Sequence, residues 1–136
     1  MKSNIEFLNP DGLSKNPAFS QVAITKGNGT TVYIGGQNAI TGDLQIVGKG
    51  DIAAQTEYAL KNVETALAAS GAALDDLFKL TLYIVQGQDL RKGFAGAQGF
   101  MKKLKNPPII SGIFVAGLAN PDYLVEIDAI AFKGEK

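Results

Sequence analysis

The chain has 136 residues, 46% hydrophobic and 19% charged, which suits one globular domain spanning 1–136, long enough to bury roughly two thirds of its unfolded surface. Thirteen basic and thirteen acidic residues cancel, and there is no His or Cys. That composition excludes disulfides, thiol nucleophiles, His general bases and His- or Cys-built metal sites, so no metal and no cofactor is expected. Only one arginine, Arg91, is available for bidentate clamping of an anion. No basic stripe marks a nucleic-acid surface, and no apolar run approaches the roughly 20 residues that span a bilayer. The opening residues lack the apolar core of a secretion signal, so a cytoplasmic location is expected.

In chain order, Phe19 to Thr25 reads as a strand that the Lys26-Gly27-Asn28-Gly29 turn joins to a second, Thr31 to Ile34. Thr41-Gly42-Asp43 makes a turn before a short extended Gln45-Ile46-Val47. Asp51 is the expected N-cap of a helix with the apolar stripe Ile52, Thr56, Ala59, Leu60, Val63 and Leu67, ending at Ser70-Gly71. Phe78 to Val85 is the next strand. A second helix is expected from Asp89 to about Leu104, stopped by Asn106-Pro107-Pro108. It carries Gly93, Gly96 and Gly99, each unfavourable by about 1 kcal/mol in a helix interior, which calls for close packing, read here as helix against sheet, or for a mobile wall. The cluster Lys102, Lys103 and Lys105 falls at that helix's end, where cations suit the dipole. Ile109 to Leu118 and Tyr123 to Phe132 are read as a terminal pair of strands.

This order implies an α+β fold, a mixed sheet with both helices on one face. In the last strand Val125, Ile127, Ala129 and Ala131 alternate with Leu124, Glu126, Asp128, Ile130 and Phe132, and neither set is consistently polar. A sheet apolar on both faces needs a second cover, and self-association supplies one.

Gly36-Gln37, Gly42, Gly50-Asp51-Ile52, Gln55-Thr56, Asn62-Val63, Gly71, Leu74-Asp75-Asp76-Leu77, Lys79-Leu80-Thr81, Pro108, Ser111 and Val125-Glu126-Ile127-Asp128-Ala129-Ile130-Ala131 occur together, in order, across nearly the whole chain. In this the sequence resembles the RidA/YjgF (endoribonuclease L-PSP) family. The resemblance implies a chorismate-mutase-like fold, a homotrimer whose sheets form a central barrel, and a small-molecule ligand in each intersubunit cleft. Active members hydrolyse enamines and imines, as deaminases; others have been described as ribonucleases or translation inhibitors.

Carried over residue by residue, the resemblance places the cleft at Phe19, Gly35, Gly36, Gln37, Phe94, Ile110, Ser111 and Glu126, with Glu126 as the catalytic candidate. The family's carboxylate-binding arginine is here Ile110, its tyrosine Phe19, its serine before Gly-Gln is Gly35, and its helix asparagine Phe94. An isoleucine offers no donor to an anion, so 2-aminoacrylate deamination is not expected. Glu126, walled by Phe19, Ile110 and Phe94, is expected to orient a ligand or position a water, alone or paired with Asp128. Arg91, in the first turn of the second helix, is expected to face solvent.

Overall fold

The computed structural model describes residues 4–135. Among the described residues, six strands and two helices run in the order β1 (Ile5–Leu8), β2 (Val22–Thr25), β3 (Gly29–Gln37), α1 (Ile52–Ala69), β4 (Leu77–Val85), α2 (Leu90–Met101), β5 (Ile109–Val115) and β6 (Val125–Gly134), with a 3₁₀ turn at Leu74–Asp76. β1 and β2 form a small antiparallel ribbon. The main sheet has the order β3-β6-β4-β5, with β4 and β5 parallel and the other neighbours antiparallel. The fold is therefore α+β, a mixed sheet with both helices on one side, as the sequence implies.

The helix signals act locally and hold. The Asp51 side chain accepts from the Ala54 N–H at 3.1 Å, and Gly71 turns the chain out of α1 at φ +77°, a conformation open to glycine. Asp89 caps α2 through the Arg91 N–H at 2.9 Å. α2 stops at Met101, three residues short of the expected Leu104, and Lys103 lies beyond it, paired with Glu64 of α1 at 2.9 Å.

Strand pairing departs from the sequence reading in three places. β2 does not pair with β3; it pairs with β1, a strand the sequence reading did not anticipate, and Lys26 meets Glu6 across them at 2.7 Å. The Gly-Asn-Gly turn is a short-range preference, whereas β3 gains a long ladder on β6 that puts Ile34 into the core. β5 and β6 are not neighbours, because β4 lies between them. The Gln45–Val47 segment makes only a bridge between Ile40 and Ile46.

The core lies between sheet and helices. Val125, Ile127, Ala129 and Ala131 of β6 and Leu80, Leu82 and Ile84 of β4 point into it, against Ile52, Ala59, Leu60, Val63 and Leu67 of α1. α2 packs on α1, and the glycine at their crossing explains the approach. A Cβ on Gly96 would sit 2.1 Å from the Ala53 carbonyl oxygen. The close contact is thus helix against helix, not helix against sheet.

Candidate functional site

The other sheet face is open. By register, Tyr83 stands opposite Glu126, Thr81 opposite Asp128, and Tyr33 opposite Ile130, while Ser111 and Ile113 of β5 continue the rows beside Thr81 and Tyr83. Glu126, Asp128 and Ile130 are half-buried, whereas Tyr33 is 77% and Ile113 44% exposed. Large apolar and aromatic groups therefore surround two half-buried carboxylates on the face away from the helices, with Thr81 beside them buried.

Glu126 has a built seat. The β3–β6 ladder breaks register between Ile34 and Gln37, and this irregularity contains Gly35 and Gly36. The Glu126 side chain lies over Gly36, where a Cβ would come within 2.2 Å of its Oε2. Asn38, just past β3, donates from Nδ2 to the Val125 carbonyl at 3.0 Å and to Glu126 Oε1 at 3.4 Å. Asn62 of α1 donates in turn to the carbonyls of Asn38 and Ile40, at 2.9 and 3.1 Å, fixing the loop that carries Asn38. The Gln37 side chain turns back on its own strand, donating to the Gly35 carbonyl at 3.2 Å.

Two residues along β6, Asp128 accepts from the Tyr83 hydroxyl at 3.2 Å. The Asp128 charge, then loss of water, the hydrogen bond itself and the Glu126 charge together hold the Tyr83 phenol above its ordinary value. Because the folded value lies above the unfolded one, this contribution to stability is complete below the ordinary tyrosine value of about 10 and disappears as pH rises through the folded value. The chain has four tyrosines and no tryptophan, so phenolate absorbance reads them cleanly. One tyrosine should ionise late in an alkaline titration, and Asp128→Asn should bring it back down; a profile indifferent to Asp128 would contradict the pairing.

The sequence-derived cleft residues divide into two groups. Gly36, Ser111 and Glu126 are on or beside the open face. Ile110 is not: it aligns with Leu80 and packs, half-buried, against the core on the helix side. Phe94 also stands on the helix side, 52% exposed, over a small apolar cavity lined by Ile52, Leu82, Ile84, Leu90 and Gly93. Within one chain Glu126 is therefore not walled by Ile110 and Phe94. Phe19 is half-buried next to Ser20, whose N–H reaches the Pro108 carbonyl at 2.9 Å, so it belongs with the start of β5. Arg91 is exposed on α2. Asn38 and Tyr83 complete the Glu126 neighbourhood. Period-2 alternation places Tyr83 on a strand face, but nothing in the sequence marks Asn38.

A mixed sheet backed by two helices, with a seated carboxylate on the face away from them, defines a small α+β protein. The sequence profile of the endoribonuclease L-PSP family matches residues 12–133, and the chain belongs to that family. A RutC family protein of Pyrococcus horikoshii is 33% identical over 105 residues, 77% of this chain and 81% of that one. A Yersinia pestis protein of the conserved Rid family, described as of unknown function, superposes with a TM-score of 0.85 at 30% identity, covering 95% of this chain and 98% of its own. The Escherichia coli YjgF gene product gives 0.66 at 27% identity, covering 76% and 84%.

Proposed function

We propose that the chain, folded as one domain over 1–136, works as a homotrimer that binds a small uncharged or weakly polar metabolite in clefts between subunits, and is not a typical 2-aminoacrylate deaminase. Ile110 carries this reading. The resemblance puts an anion-binding arginine there in active members, and here the position holds a donor-free side chain packed against the core. The trimer is supported by the open face: an exposed Tyr33 and Ile113 beside half-buried Ile130 leave apolar surface that a second copy would cover. It is supported too by the division of the site: within one chain Ile110 and Phe94 lie on the helix side and Glu126 on the other face, so the cleft that the resemblance implies would need a second copy. Among the described residues no helix is long and apolar enough to cross a membrane, and we assign the protein to the cytoplasm.

The seat of Glu126 favours a second reading, a hydrolase for an enamine or imine that needs no carboxylate anchor, with Glu126 positioning the attacking water. Ribonuclease or translation-inhibitor activity has less support, given zero net charge and a single arginine. Ammonia release from 2-aminoacrylate separates the first two. The first reading expects none above the uncatalysed rate. Turnover that Glu126→Gln abolishes would establish the second instead.

A further inference from the structure

Glu126 is held by the Asn38 amide and by its seat over Gly36, and Asn38 lies outside every motif of the resemblance. Asn38 has two Nδ2 protons and two acceptors: the Val125 carbonyl at 3.0 Å and Glu126 Oε1 at 3.4 Å. The first bond anchors the side chain to the strand that carries Glu126. The second reaches the carboxylate. Gly36 leaves open the space into which the carboxylate folds, and Asn62 holds the Asn38 backbone from α1. Among the described residues no donor reaches Oε2.

We propose that Asn38 is the positioning residue of the cleft, holding Glu126 by Oε1 while Oε2 lies over Gly36 and is left to accept a hydrogen bond from the ligand. The proposal rests on the reading of Glu126 as the cleft's functional carboxylate. It adds a constraint on the ligand: the atom that meets Glu126 is a donor, an N–H, an O–H or a bound water. A carboxylate fixed before the ligand arrives loses less entropy on binding than one that must be ordered by it. The separation of 3.4 Å is long for a bond to a charged acceptor, so the Gly36 seat and the Asn38 amide act together.

The side-chain amide spectrum of the ¹⁵N-labelled full chain, without ligand, tests this. The two Nδ2 protons of Asn38 are distinct signals and face different acceptors. In Glu126→Gln, an isosteric change, the proton facing residue 126 should move upfield by several line widths as a charged acceptor becomes neutral. The proton on the Val125 carbonyl should stay. Gly36→Ala should move the same single proton, because its Cβ displaces the carboxylate while Glu126 remains. If neither proton responds to Glu126→Gln, Asn38 does not hold the carboxylate. If both move together, the loop has shifted as a whole and the role is structural; either result overturns the proposal. A cleft that binds nothing in a ligand screen, by contrast, would remove the functional reading and leave these spectra unchanged.

Discussion

Gln55→Leu should destabilise the fold by about 4 kcal/mol, a large share of the roughly 5–15 kcal/mol that holds a domain of this size together. Gln55 is fully buried in α1. Its Nε2 donates to the Asp122 carbonyl at 2.9 Å and the Gly48 carbonyl at 3.3 Å, and its Oε1 accepts from the Leu124 N–H at 2.9 Å. Leucine of similar volume fills the space and leaves two backbone groups without partners, the Asp122 carbonyl and the Leu124 N–H, each worth about 1–3 kcal/mol and not strictly additive, while the Gly48 carbonyl keeps the Asp51 N–H at 2.8 Å. Leu124 leads directly into β6, so the site should also suffer, with Glu126 losing its fixed register. Urea unfolding measures the effect. A loss below about 1 kcal/mol would show that water replaces those bonds and that Gln55 is not the staple described.

The three glycines of α2 should give three different results on replacement by alanine. At Gly96 the new Cβ meets the Ala53 backbone, with its oxygen at 2.1 Å and its carbonyl carbon at 2.9 Å, atoms that move only if the helices separate. Overpacking of this kind costs about 1–3 kcal/mol and outweighs the gain of about 1 kcal/mol in helix propensity. At Gly93 the nearest atoms are Ile52 Cγ1 at 3.5 Å and Thr56 Oγ1 at 3.9 Å, ordinary contacts, and at Gly99 nothing lies within 4 Å. Both should therefore stabilise by about 1 kcal/mol. Equal effects at all three positions would mean that α1 and α2 do not cross at Gly96. Gly99 has no packing role that the structure explains.

Much of this was legible in the sequence where the signal is local. The Asp51 cap, the helix start at Asp89, the Gly71 stop and the alternation along β6 each depend on a few neighbouring residues, and each is found in place. Choice of strand partner is not local. The Lys26–Gly29 turn suggested a hairpin, yet β2 joins β1 and β3 joins β6, because burial of Ile34 against α1 and β6 is decided by the whole sheet. Gln55 and Asn62 could be quoted as part of a resemblance, but a buried amide in an apolar stripe carries no sign of the loops it ties. For the proposed site, the resemblance could name Glu126 but not the seat it occupies. Ile110 and Glu126 could be set on opposite faces only once the parallel β4–β5 register was known. Phe94 could be placed beside Glu126 by resemblance alone; the chain by itself puts it across the sheet.

The central claim is that the cleft has lost its anion anchor while keeping a seated carboxylate. A thermal-shift comparison of the full chain with 2-keto acids, imine precursors and uncharged metabolites tests this most directly, since a ligand that binds only the folded state raises the melting temperature by mass action. The account predicts stabilisation by uncharged hydrogen-bond donors, none by 2-keto acids, and loss of the donor effect in Glu126→Gln. Stabilisation by 2-keto acids would contradict it, and would mean that a carboxylate is held in this cleft without the arginine that Ile110 replaces.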